Sequence, residues 1–346
     1  MTTPAGRPRQ ILSNISALTW EHPSDRAALQ TLRALPGFNE AVKKIVGHFG
    51  ERGIRLIFQA NAVRVGPQQF PRLHSLWIEA ITTMDWDRQP ELYVSQTPIV
   101  NASAVGVDNP FVVVNSATLK LLDDDETRVL LGHELGHIMS GHALYRTVTL
   151  ILLFFGFQNL PFLAGLALLP IKLALLEWYR KSELTADRAG LLASQDPPAN
   201  TRLFLRLASG SDFNGEARLL REFDTEEYMR QAREYQQLGG ALDTVYKILN
   251  TLATTHPFHT LRAAELQSWI DDGTYQRVMD GEYTRRGSEQ ERERPIGPDV
   301  KEAATHYARG AKETVENVAG AAKRAASAFT DTLRRRARGT GETPPE

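Results

Sequence analysis

His133-Glu134-Leu135-Gly136-His137 sets two imidazoles four residues apart with a carboxylate between them. On a helix that spacing puts both rings on one face, one turn apart, ready to share a divalent ion, with Glu134 beside them as a general base. The chemistry open to such a set is hydrolysis by a metal-activated water. With nine His in the chain, a chance match to the pattern is on the order of one or two in a hundred, and the need for a helix lowers it further.

A third protein ligand must come from elsewhere. The chain has no cysteine, which excludes thiolate zinc sites, iron–sulfur clusters, a cysteine nucleophile and a disulfide scaffold. Ser140 and Ala143 stand where a metzincin would carry Gly and His, so that plan is excluded as well. His142, five residues after His137, lies about 140° around a helix and cannot join the same ion unless the helix breaks. From Ala143 to Leu176 there is no Asp, Glu or His, and the next candidates are Glu177, Glu183 and Asp187. Glu183 and Asp187 are i, i+4 neighbours, so one can ligate while the other takes a proton from a ligand histidine. Glu177, at the end of an apolar run, reads as a helix-end charge. Ala186, Ala189 and Gly190 leave room for close helix packing.

These groups need elements to hold them. Asp123 with Glu126 three residues on is a capping box that opens the helix of the two histidines. Upstream, helical patterns start near Ser24 and run from Asn39 to Glu51, broken at Pro36-Gly37. IRLIFQANAVRV alternates as a strand or hairpin, FPRLHSLWIEAITTM has a helical period, and ELYVS, Val100 to Val107 and FVVVN are short β-branched segments between turn formers. Downstream comes a mostly apolar stretch over 147–176, a polar helix from Trp178 to Ser194, and further helical segments to about Asp271. The domain is expected over 21–283, behind a flexible 1–20. A charged linker over 284–298, an Ala-rich amphipathic helix over 299–338 and a flexible tail at 339–346 complete the expected organisation. Two readings of the Ala-rich helix compete: a weak membrane-surface or partner helix, and a solvated appendage.

Composition narrows the partners. Forty Lys+Arg against 41 Asp+Glu leave a formal charge of −1 and no basic field for nucleic acid. There is no G-x-x-x-x-G-K-[ST] loop, so no nucleotide is expected. The first residues are too polar for a secretory segment, which makes an intracellular start the expectation.

On the H-E-x-x-H motif together with Glu183-Leu184-Thr185-Ala186-Asp187, the chain resembles the gluzincin zinc metallopeptidases that include the CAAX prenyl endopeptidases and the HtpX-type heat-shock membrane proteases. The resemblance extends upstream through PELYVSQTPIVNASAVG and downstream to THPFHTLRAAEL, covering roughly Ser24 to Asp271. It implies one zinc ion per chain held by His133, His137 and Glu183, with Asp187 supporting a ligand histidine. It implies that Glu134 is the base and then the acid of peptide-bond hydrolysis, and that His256 and Arg262 approach the metal and stabilise an oxyanion. It implies that Asn101, Ala102, Ser103 and Ala104 form an edge strand to which an extended substrate adds. Relatives carry an aromatic at the Ser103 position, a departure that bears on the substrate pocket. The expected fold is α+β and mainly helical: a zincin-like domain with a small antiparallel sheet, an apolar helical hairpin and a C-terminal amphipathic helix.

The apolar stretch 147–176 is long enough for one membrane crossing, but one crossing would separate His137 from Glu183, which must meet the same ion. Two crossings would need about 40 residues. A hairpin remains, dipping into one leaflet or buried in protein or an oligomer interface, and the resemblance favours membrane contact on the cytoplasmic side over a soluble cytoplasmic protein. In the membrane reading Arg146, Lys172 and Arg180 lie near headgroups. Protein or peptide substrates follow from the chemistry. The competing reading is a membrane-associated scaffold or chaperone-like protein with a structural or closed zinc site, against which the intact Glu134 argues.

Overall fold

A computed structural model describes residues 8–156, 159–164, 166, 168–210, 224–237 and 258–288. Pro23, whose missing N–H costs nothing in the first turn of a helix, opens α1 (Pro23–Arg33) behind His22, whose Nδ1 accepts the Ser24 N–H. Gly37, at φ 79°, turns the chain into α2 (Phe38–Gln59), which is kinked at Gly50. The segment IRLIFQ, expected as a strand or hairpin, continues α2 beyond that kink, and only Ala62–Arg64 (β1) is extended. Alternation over so few residues does not separate the two periods, and Ile54 is buried from the helix.

Then follow α3 (Pro71–Thr83), β2 (Leu92–Ser95), β3 (Ala102–Val105), β4 (Phe111–Asn115) and α4 (Ser116–Leu121). The chain continues through α5 (Asp124–Met139), α6 (Ala143–Phe155), α7 (Leu168–Ser194), α8 (Pro197–Ser209), α9 (Thr225–Gln237), α10 (His259–Asp271) and α11 (Thr274–Met279). The expected capping box is present: Asp123 accepts the Glu126 N–H at 2.9 Å and Glu126 accepts the Asp123 N–H at 3.1 Å.

The sheet has the order β1-β2-β4-β3. Its outer pairings are antiparallel, but β2 and β4 run parallel, so the sheet is mixed. The chain reverses twice between β2 and β4, because β3 folds back on β4 through Gly106 and Asp108-Asn109-Pro110, and β4 therefore returns in the direction of β2. This leaves β3 at the edge, facing α5.

Two large apolar clusters hold the fold. One joins α3, the sheet, α5, the second half of α7, α8 and α10. In the other, Val148, Ile151 and Leu152 of α6 and Ile171 and Leu175 of α7 meet Leu32, Phe38, Ala41, Ile45 and Ile54 of α1 and α2. The apolar stretch is thus a returning pair of helices with one side covered by the first two helices of the chain. Each large apolar side chain buried there contributes about 1.5–3 kcal/mol. Leu153, Phe154, Leu169 and Leu173 stay exposed, at 38–72%. Among the described residues no single helix is long and apolar enough to cross a membrane. The bent pair α5–α6, at 101°, passes on composition, and α5 is the buried helix of the two histidines.

Both ends of the domain differ from expectation. From Pro8 onward the N-terminal segment is anchored: Leu12, Ile15 and Trp20 are fully buried and Leu12 N–H bonds to Thr83 O. Residues Thr284–Ser288, expected as the start of a linker, pair back on this segment through an Ile15–Arg285 bridge and the Arg286 N–H to Asn14 O. The rest of the linker and the Ala-rich helix lie outside the described residues.

Candidate metal centre

The two histidines and Glu183 meet because α5 and α7 pack unusually close. Gly132 and Gly136 of α5 face Ala193 and Ala189 of α7, and a Cβ on Gly132 would come 2.5 Å from that of Ala193. Gly190 in turn lies under Val129 O. Along this contact His133 Nε2 is 3.2 Å from His137 Nε2, His137 Nε2 is 3.4 Å from Glu183 Oε1, and His133 Nε2 is 3.5 Å from Glu183 Oε2. All three side chains are buried, and they form a group able to hold a metal ion. Tetrahedral ligands at about 2.0–2.1 Å from an ion stand about 3.3–3.4 Å from one another, so the triangle has the size such an ion needs.

Charge points the same way. Four buried carboxylates, Asp25, Glu134, Glu183 and Asp187, surround the group with two buried guanidiniums, Arg146 and Arg262. With both imidazoles neutral and all four carboxyls ionised, two negative charges would remain over, which a divalent cation would balance. Burial opposes protonation of His133, yet Asp187 and Glu183 pull it up to about 9. Burial and the Arg146 cation push His137 well below the ordinary histidine range, which keeps a lone pair on that ring.

Asp187 Oδ1 lies 3.0 Å from His133 Nδ1. Arg262 grips Asp187 with two nitrogens, Nε to Oδ2 at 2.8 Å and Nη2 to Oδ1 at 2.6 Å, while its Nη1 is 3.4 Å from Glu183 Oε2. Arg262 therefore reaches the site as a clamp on Asp187. Glu177 turns away to Arg180 and Lys181. His256 lies outside the described residues.

Glu134 accepts the Ala104 N–H on Oε2 at 2.7 Å, so the edge strand β3 holds this carboxylate beside the ligand group. Burial raises Glu134 above the usual carboxylate range. Asn101 and Ala102, the apolar side chains Val129, Leu130 and Leu203, and Glu134 line a cavity of ≈ 170 Å³. Ser103 pairs with Val113 across the sheet.

Arg146, His142 and Asp25 take places at the site other than those expected from the sequence. Arg146, expected near headgroups, is fully buried with Nη1 2.9 Å from His137 Nε2 and 2.5 Å from Glu183 Oε1. Its guanidinium lies over the Tyr179 ring, 4.2 Å from the centroid. Arg180, expected beside it, is buried and paired with Glu177. His142 approaches His137 Nδ1, the side of the ring away from Glu183, and Asp25 of α1 approaches His142.

A family model described as Peptidase family M48 matches residues 67–270. Over 275 residues, 79% of this chain and 78% of the relative, the sequence is 30% identical to the plastoglobule-localized metallopeptidase 48, chloroplastic, of Arabidopsis thaliana. A protease HtpX homolog of Pseudarthrobacter chlorophenolicus is 29% identical over 43% of this chain and 59% of its own. One from Helicobacter pylori is 35% identical over 19% of this chain and 22% of its own. No solved structure matches the chain.

Proposed function

Because the chain belongs to peptidase family M48, we propose that His133, His137 and Glu183 hold one zinc ion and that the protein is an endopeptidase acting on extended protein segments at a lipid surface. The buried His133–His137–Glu183 group carries this reading. Two imidazole nitrogens and one carboxylate suit zinc and leave a position open. When bound, zinc lowers the pKa of water toward neutrality and polarises a carbonyl oxygen.

The chain supplies the rest. Glu134, raised by burial, takes a proton from the attacking water on the oxygen that β3 does not hold and delivers it to the leaving amine. Asp187 accepts the His133 Nδ1–H and so directs Nε2 at the ion, with Arg262 holding Asp187 in turn. Asn101–Ala104 at the sheet edge offers backbone to an extended substrate, whose apolar side chain enters the neighbouring cavity. His256 is assigned to the oxyanion on family grounds alone.

The exposed Leu153, Phe154, Leu169 and Leu173 of the helix pair form the lipid-facing rim. The Arabidopsis relative is named as plastoglobule-localized. The test is zinc content and casein hydrolysis of the full chain, with and without vesicles, for wild type, Glu134→Gln, Glu183→Ala and Phe154→Ser with Leu169→Ser. Wild type and Glu134→Gln should hold about one zinc, with hydrolysis down at least ~100-fold in the latter, whereas Glu183→Ala should lose both. The rim variant should cut in solution but no longer float with vesicles. Zinc bound tightly by a wild type that cuts nothing would favour the scaffold instead.

A further inference from the structure

Asp25 lies outside the segment matched by the family model, yet it ends a buried hydrogen-bonded chain that starts at a metal ligand. His137 Nδ1 is 3.0 Å from His142 Nδ1, and His142 Nε2 is 3.0 Å from Asp25 Oδ2. Thr185, on α7 between Glu183 and Asp187, donates its hydroxyl to Asp25 Oδ2 at 2.6 Å and accepts the His22 N–H at 3.0 Å. None of His137, His142, Asp25 and Thr185 is more than 4% exposed. His142 reaches this place because α5 ends at Met139. Gly141, at φ 72°, reverses the chain, and the His142 N–H bonds to His137 O at 2.9 Å, folding the second ring back against the first.

The protons on this chain have one arrangement that gives every contact a donor and an acceptor with both rings neutral. His137 Nε2 faces the Arg146 Nη1 donor at 2.9 Å and so presents a lone pair, which puts its proton on Nδ1. His142 Nδ1 must then accept, which puts the His142 proton on Nε2, where it donates to Asp25. Thr185 cannot turn its hydroxyl proton elsewhere without leaving two acceptor oxygens facing each other at the Asp25 contact.

We propose that His142 and Asp25 are positioning residues for the metal: they hold the His137 tautomer and ring direction, as Asp187 does for His133, and so make α1 part of the metal centre. Each metal-binding imidazole is thereby anchored on its far nitrogen, one from α7 and the other from α1. The inference rests on the metal reading of the His133–His137–Glu183 group.

The test is metal affinity of the full chain, by competition with a chromophoric zinc chelator, together with the visible bands of the cobalt(II)-substituted protein. The set is wild type, His142→Phe, Asp25→Asn and, as a packing control in the same helix, Leu32→Ala. Zinc affinity should fall about 10–100-fold in His142→Phe and Asp25→Asn, with the cobalt bands shifted. Leu32→Ala should lower the melting temperature while keeping affinity and bands. Asp25→Asn preserves shape and carries the test if His142→Phe does not fold. Wild-type affinity and bands in both variants would overturn the proposal, and so would an equal loss in Leu32→Ala. A wild type that binds no metal would instead overturn the metal reading, a separate failure.

Discussion

Arg262 touches both oxygens of Asp187 where both side chains are buried, and that pairing has a measurable sign. Burial alone would raise Asp187, but Arg262 and His133 outweigh it and hold the carboxyl below its usual range. A group lowered in the folded state stabilises the fold above its unfolded pKa of about 3.9 and loses that contribution as pH falls through the folded value. In Arg262→Met the carboxylate stays buried without its cation, a loss of about 3–5 kcal/mol near neutrality. Burial then dominates and raises the carboxyl, so the variant gains from protonation between that raised value and about 3.9, whereas wild type loses below about 3.9. Urea unfolding with chelator present should show the gap between the two narrowing already above pH ~4, as the variant takes up its proton, and further below it, as wild type does. A gap independent of pH would mean that lost packing, not the ion pair, sets the cost. Glu183 and Asp187 were legible as candidates because i, i+4 spacing is a local rule. Arg146 and His142 were not, because the bend at Ser140–His142 overturns the helical phase on which any such rule depends, and Asp25 was not, because it comes from α1, far away in sequence.

The approach of α5 to α7 depends on residues with almost no side chain. Gly132 and Gly136 present bare backbone to Ala193 and Ala189, and for Gly136 the added Cβ would overlap that of Ala189. Overpacking in a well-filled core costs about 1–3 kcal/mol, against the small helix-propensity gain of Ala over Gly. Gly136→Ala should therefore lower the urea midpoint. Because the two histidines stand on one helix and Glu183 on the other, it should also weaken metal binding more than an equally destabilising change in α11, far along the chain from these ligands, such as Val278→Ala. Equal effects of the two on metal affinity would separate helix spacing from the metal centre. The small residues of α7 were visible in the sequence, as were the capping box and the short strands, since each is written within a few neighbouring positions. The parallel pairing of β2 with β4 was not, because it follows from where β3 folds. The extension of α2 past Gly50 was hidden by a run too short to show its period.

For the molecule as a whole, the covering of the apolar helix pair by α1 and α2 and the metal centre are one problem seen twice. The return of the chain between His137 and Glu183 could be deduced from their shared ion. What covers it could not, because Leu32, Phe38 and Ile45 lie more than 90 residues away in sequence. Where α5, α6, α7, α1 and α10 converge, the buried carboxyl groups of Asp25, Glu134, Glu183 and Asp187 outnumber the guanidiniums of Arg146 and Arg262 by two, and a divalent ion that binds only the folded chain stabilises it by mass action. At a free concentration about 1,000 times its dissociation constant that stabilisation is about 4 kcal/mol. Chelation should therefore lower the melting temperature of the full chain by several degrees, with recovery on adding back zinc and none on adding magnesium, whose octahedral oxygen preference the two imidazoles do not serve. The shift should shrink in Glu183→Ala and persist in Glu134→Gln, since the first removes a proposed ligand and the second only the proposed base. A melting temperature indifferent to chelation in a protein shown to contain zinc would mean that the excess charge is neutralised by protonation of His133, which the two facing carboxylates already pull up to about 9, together with that of Glu134, which burial raises. The ion would then be a passenger of the fold, not one of its supports.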